Sequence, residues 1–195
     1  MKALHDKIAK EGLVVSDQIL KVDSFINHQV DPEFIMEIGQ AFANHFGGQN
    51  ITKVVTIEAS GIHLAFATAL KLGVPFVYAK KKKALTQTGG VYSAPVYSFT
   101  RQESYHLTVS KDYLSAEDRI LVIDDFLATG VALRGLRDII LQAGATLVGV
   151  GIVIEKSFQP GRKELEAEGV QIHSLARIQS MSEDGILYVS DEATL

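Results

Sequence analysis

The chain predicts an α/β fold, with a central parallel sheet of about five strands flanked by helices. Two observations carry that prediction. Short apolar runs alternate with helical stretches at the spacing of strand–helix–strand units, and several helical stretches close on glycine. The 195 residues suit one domain, with ordinary globular composition and no cysteine to staple it.

The elements follow in order. The opening "MKALHDKIAKEG" has apolar residues at helical spacing, and Ile8 to Glu11 close that helix before Gly12. In "DPEFIMEIGQAFANHFGG", Asp31 is the N-cap and Pro32 the first helical position. Phe34, Ile35, Ile38, Phe42 and Phe46 form one buried stripe, and Gly47 and Gly48 end the helix. "KVVTI" reads as a buried strand, "GIHLAFATALKLG" as a helix stopped by Gly73, and "PFVYA" as the next strand. From Thr86 to Ser110 the chain turns rich in Gly, Ser, Thr and Tyr, and reads as a flexible segment followed by an antiparallel excursion. The βαβ pattern then resumes with "RILVID", the helix "VALRGLRDIILQAG", the long apolar strand "TLVGVGIVIE", a helix at "GRKELEAEG" and a strand at "VQIHSLA".

Composition narrows the partners. No apolar run approaches the roughly 20 residues of a membrane span, and the opening lacks the apolar block of a signal peptide, so a cytoplasmic protein without membrane contact is expected. A formal charge of −4 argues against nucleic acid as a partner. The four consecutive lysines of "AKKKKAL" are the local exception, either a solvated loop or an arm for a polyanionic substrate. The six histidines, at positions 5, 28, 45, 63, 106 and 173, include no pair at helical zinc spacing.

The stretch with most chemistry is "ILVIDDFLATGVALRGL". An apolar run meets Asp124 and Asp125, and Ala128, Thr129 and Gly130 then lead into a helix. In an open parallel sheet, ligands sit beyond the carboxyl ends of the strands. Backbone amides from Ala128 to Ala132 would stand there without intrahelical partners, at the positive end of the helix dipole, as an anion site suited to a phosphate monoester. Thr129 adds a hydroxyl, and Gly130 lets the backbone come close. Carboxylates only accept hydrogen bonds, so Asp124 and Asp125 suit the vicinal hydroxyls of a ribose. Neither GxGxxG nor GxxxxGK[ST] follows a strand, which excludes the common dinucleotide and P-loop sites.

"VIDDFLATG", Val122 to Gly130, resembles the phosphoribosyl diphosphate (PRPP) signature of the type I phosphoribosyltransferases. "SDQILKVDSFINHQVDP", "VTIEASGI", "IVIEKSFQPG" and "LARIQS" are similar to the branch of that family that takes xanthine in bacterial purine salvage. The resemblance implies a small hood over the sheet, built from residues 1–30 and the C-terminal region, and a flexible loop over 80–110. It also implies a homodimer, xanthine and PRPP as substrates, and Mg2+ brought in by the diphosphate rather than held by a protein-built site. Ala128, Thr129, Gly130, Val131 and Ala132 would form the 5′-phosphate loop. Asp124 and Asp125 would hold the ribose hydroxyls and favour positive charge on an oxocarbenium-like ribose. Glu58, Ser60 and Gly61 of "EASG" match the diphosphate loop, though a routine strand-to-helix turn reads the same way. Lys80 and Lys81 would reach the diphosphate, not separable here from Lys82 and Lys83.

Relatives for hypoxanthine and guanine carry aspartate where this chain has Ala128, so no side-chain general base is assigned, and xanthine is expected to arrive as its anion. Lys156 would donate to the purine oxygen at C6, unless it is a surface lysine at a strand end. Asn27 would donate to the second carbonyl oxygen, Leu20 would offer backbone or apolar contact, and Phe126 would pack on the ring. Two rivals are a phosphoribosyltransferase for adenine or guanine and a PRPP-sensing regulator. The second would need a DNA-binding module, whereas the segment before the first core strand of this chain reads as hood plus helix, with no basic recognition helix.

Overall fold

The computed structural model describes residues 1–82, 90–98 and 103–190. Helix α1 (Lys2–Glu11) buries Leu4 and Ile8, four apart on one face. The paired two-residue strands β1 (Leu13–Val14) and β2 (Leu20–Lys21) follow, and then a π-helical turn, Asp23–Asn27, that drives Phe25 and Ile26 into the core. In α2 (Pro32–Phe46) the Asp31 carboxylate accepts the Phe34 amide at 3.2 Å, and the five expected apolar positions are all buried.

Strand β3 (Lys53–Ile57) leads to α3 (Ile62–Leu72), which Gly73 ends in the left-handed region at φ 70°, and then to β4 (Phe76–Lys82). Strands β5 (Val91–Ser98) and β6 (Glu103–Ser110) form an antiparallel hairpin, and β6 continues the sheet beyond β4. The remaining elements are β7 (Arg119–Leu127), α4 (Val131–Gln142), β8 (Thr146–Lys156), α5 (Gly161–Ala167), β9 (Ile172–Ser182) and β10 (Gly185–Tyr188).

The sheet order is β10-β9-β8-β7-β3-β4-β6-β5. Its centre, β9-β8-β7-β3-β4, is parallel, as expected; β10 on one side and β6 and β5 on the other are antiparallel. The stretch expected as a loop over 80–110 thus contributes the end of β4 and the β5–β6 hairpin. Residues 83–89, with Lys83, and residues 99–102 lie outside the described ones.

Apolar residues cover both faces of the sheet. On one side Phe25, Phe42, Phe46, Leu64 and Ile123 pack together; on the other, Leu107, Val122, Leu136, Ile139 and Ile152. Each fully buried phenylalanine contributes about 1.5–3 kcal/mol. At one edge of the first cluster, His45 near the end of α2 stacks on His173 of β9, with ring centroids 3.7 Å apart. These two layers hold the carboxyl ends of β3, β4, β7 and β8 at one rim of the sheet.

Candidate active site

β7 does not stop at the acidic pair. It runs on to Leu127, with Phe126 opposite Ile154 and Leu127 opposite Glu155 on β8, because buried Leu127 and half-buried Phe126 still have apolar neighbours. Asp124 and Asp125 are therefore held on a strand rather than on a loose turn. The Asp125 amide donates to Asp124 Oδ1 at 3.0 Å, and the Phe126 amide to Asp125 Oδ1 at 2.9 Å. Asp124 is almost wholly buried. That burial, and then the neighbouring Asp125 charge, push its carboxyl well above the ordinary carboxylate range, while the Lys81 ammonium pulls it back.

The turn after β7 is pinned from behind. The Ala128 carbonyl accepts the Gly161 amide at 3.0 Å, and the Thr129 carbonyl accepts Arg134 Nη2 at 3.2 Å. Gly130 caps α4 with φ 75°, a conformation that costs glycine little. The first bond into α4 runs from the Arg134 amide to the Gly130 carbonyl. The amides of Thr129, Gly130, Val131 and Ala132 find no backbone acceptor among the described residues, at the positive end of a twelve-residue helix. Gly161, which sequence reasoning passed over, makes this packing possible. A Cβ there would stand 2.3 Å from the Ala128 oxygen and 2.8 Å from the Gly130 nitrogen.

The turn after β3 repeats the design. Its ends are fixed by the Glu58 amide on the Ala79 carbonyl and by the Ile62 amide on the Ala59 carbonyl, and the Glu58–Ala59 peptide is cis. The amides of Ala59, Ser60 and Gly61 have no acceptor among the described residues. Glu58 Oε1 accepts the Lys81 amide at 2.6 Å and so ties this turn to the end of β4.

The lysines separate by strand alternation. Lys80 and Lys82 share a groove of about 400 Å3 with Phe76, Tyr78 and Tyr113. Lys81 points to the other face, where its charge acts on Asp124 and its Nζ lies 5.9 Å from the Tyr105 ring centre. Lys81 thus lies on the face from which its charge acts on Asp124, and Lys80 on the opposite one.

A third group lies at the end of β8. Lys156 Nζ stands 5.4 Å from the centre of the Phe126 ring and donates to the Gln18 carbonyl at 2.6 Å. Burial lowers its pKa. Gln159 Nε2 reaches Gln18 Oε1 at 3.2 Å, so the segment between β1 and β2 hangs over Phe126 and Lys156. Leu20 is buried in the same apolar cluster that Phe126 packs against. Asn27 ends the π-helical turn with an exposed side chain.

Behind Lys156, wholly buried Glu155 accepts Arg162 through Nε at 2.8 Å and Nη2 at 2.7 Å, and also Ser157 and Ser174 hydroxyls. Burial pushes its carboxyl up, but these bonds more than offset it and the net shift is downward. His63, on the first turn of α3, is half-buried. Burial lowers its imidazole and the Asp125 charge opposes that; its Nε2 has no partner among the described residues. Gln18, Glu155 and Arg162 escaped the sequence reading. The one available signal was a carboxylate, Glu155, closing an otherwise apolar run.

A rim with two amide-bearing turns, an acidic pair leading into one of them and a lysine whose charge acts on that pair suits a sugar with phosphate at both ends. The comparisons agree with that chemistry. A family model described as "Phosphoribosyl transferase domain" matches residues 28–176. The xanthine phosphoribosyltransferase of Brevibacillus brevis is 65% identical over 192 residues, 98% of each chain. That of Heliobacterium modesticaldum is 54% identical over 188 residues, 96% of this chain and 100% of the other. Among solved structures, adenine phosphoribosyltransferase from Rhodothermus marinus superposes with a TM-score of 0.73 at 25% identity, covering 90% of this chain and 98% of that one. The Trypanosoma brucei adenine enzyme, solved with AMP, pyrophosphate and ribose-5-phosphate, matches in fold at TM-score 0.73 and 24% identity, covering 88% of this chain and 78% of that one. With identity this high across its whole length, the chain belongs to the phosphoribosyl transferase family, in the branch formed by the bacterial xanthine phosphoribosyltransferases.

Proposed function

We propose that the chain transfers the 5-phosphoribosyl group of PRPP to xanthine, giving xanthosine 5′-monophosphate and diphosphate in purine salvage. The observation that carries this reading is the pair of amide-bearing turns, Glu58 to Gly61 and Ala128 to Ala132, with Asp124 and Asp125 leading into the second and Lys81 bonded through its amide to the first. In this reading the Thr129–Ala132 amides take the 5′-phosphate, and the amides of Ala59 to Gly61 with Lys81 take the diphosphate. The acidic pair accepts from the ribose hydroxyls and favours positive charge on the ribose as its bond to diphosphate breaks.

Xanthine would lie against Phe126. Lys156 only donates hydrogen bonds, so it favours a purine with oxygen at C6 over adenine, which presents an amino group there. Asn27 would meet the second oxygen, with Leu20 closing the apolar side. The hood would comprise residues 1–30, which run from α1 through the π-helical turn, together with the C-terminal region.

Mg2+ would enter with PRPP, whose diphosphate oxygens are the hard ligands it prefers. When bound, it neutralises charge on the leaving diphosphate. An exposed apolar face at Phe66, Leu70, Tyr78 and Tyr113 suits a homodimer. No described helix is long and apolar enough to cross a membrane; the cytoplasm is the proposed location.

The test is diphosphate release from PRPP and Mg2+ with each purine base in turn. Release fastest with xanthine is expected. Tight PRPP binding without release would refute the reading and favour a sensor.

A further inference from the structure

Thr56 is the fourth residue of β3 and is completely buried, yet its Oγ1 has no hydrogen-bond partner among the described residues. A valine would fill nearly the same space at a strand position that favours β-branched side chains. An unpaired hydroxyl in so dry a place costs about 1–3 kcal/mol, and such groups mark sites where something else is being served.

The hydroxyl lies directly under the turn after β3. A Cβ on Gly61 would stand 1.8 Å from Thr56 Oγ1, so the hydroxyl occupies the space that glycine leaves open. The carbonyls of Ala59 and Gly61 already accept the Ile62 and Ala65 amides. The Ser60 carbonyl accepts nothing among the described residues, and neither does the Gly61 amide find an acceptor. These two groups belong to one trans peptide unit, in which N–H and C=O point in opposite directions. When the Gly61 amide turns out toward a bound anion, the Ser60 carbonyl turns in toward Thr56.

We propose that Thr56 is a positioning residue for the diphosphate end of PRPP: its hydroxyl donates to the Ser60 carbonyl when the Gly61 amide binds a diphosphate oxygen. The inference rests on the function proposed above and assigns a residue that neither the PRPP signature nor the "EASG" string contains. The cost of the unpaired hydroxyl in the free protein is recovered when diphosphate binds.

The test compares Thr56→Val and Thr56→Ser with the unaltered protein. Thermal unfolding is measured without ligand, and binding of diphosphate and of ribose 5-phosphate is titrated separately. For Thr56→Val, free-protein Tm is expected to hold or rise, diphosphate binding to weaken about tenfold, and ribose 5-phosphate binding to stay unchanged. Thr56→Ser keeps diphosphate binding despite a lower Tm. A merely structural threonine would show the opposite, a lower Tm for valine with diphosphate affinity intact, and that result overturns the proposal. Should the valine variant fail to fold, Thr56→Ser against Thr56→Ala carries the same comparison, with equal diphosphate affinities overturning it. Absence of turnover with xanthine in the unaltered protein would refute the function and leave the diphosphate titration to judge Thr56.

Discussion

Gly161→Ala tests how the turn after β7 is seated. The added methyl would stand 2.3 Å from the Ala128 oxygen, 2.8 Å from the Gly130 nitrogen and 2.8 Å from Leu127 Cδ1. A carbon needs about 3.3 Å from a carbonyl oxygen, so helix and turn must part by roughly 1 Å. α5 is the firmer side, because Arg162 anchors it to buried Glu155. The turn, with its uncommitted amides, is the side that yields. Crowding of this kind costs about 1–3 kcal/mol of stability. Moving the amides by that distance costs about 100-fold in rate where they position the reacting group. Steady-state kinetics with PRPP varied should show that loss in kcat/KM for PRPP, with the KM for xanthine close to that of the unaltered protein. A variant that keeps its kcat/KM for PRPP within about twofold while its Tm falls would refute the reasoning, because the overlap would then have been relieved without moving the turn.

Asp124→Asn should remove activity by at least about 100-fold and yet stabilise the free protein. The folded chain holds the Asp124 proton to a higher pH than the unfolded chain, whose carboxyl titrates near 3.8. Between those two values the folded state binds the extra proton, so stability falls as pH rises. The gain in Tm over the unaltered protein should therefore be present at pH 8 and shrink as pH falls toward the ordinary carboxylate value; a lower Tm at pH 8 would contradict the burial argument. His173 works in the opposite direction. Burial, with His45 adding to it, lowers its pKa from 6.5 to about 4, so the unfolded chain takes the proton first and stability drops as pH falls through that window. Unfolding followed from pH 7 to 4 should show a shallower decline for His173→Phe. Asn27→Ala should narrow the preference for xanthine over hypoxanthine, read as the ratio of their kcat/KM values, and an unchanged ratio would remove Asn27 from base recognition.

The helices and core strands were legible because their signals are local. Asp31, Pro32 and the stripe from Phe34 to Phe46 announce α2, and "KVVTI" marks the whole of β3. The acidic pair and the small turn after it were legible as chemistry, since the residue types state what they can bind. Their placement on a continuing strand was not, because what keeps Phe126 and Leu127 in β7 is their pairing with Ile154 and Glu155, far away in sequence. Which lysine of the run turns toward Asp124 depends on the phase of β4, and a run of identical residues carries no phase. Gln18 meets Lys156 through its backbone carbonyl, for which side-chain identity gives no sign.

The ammonium of Lys156 donates to the carbonyl of Gln18 and so latches the segment between β1 and β2 to the sheet. An ammonium has three protons to give. In the proposed site, a purine oxygen placed above Phe126 would compete for, or share, the same latch. On that proposal a single side chain would couple binding of the nucleobase to the position of the segment between β1 and β2, and substitution of Lys156 is expected to affect both.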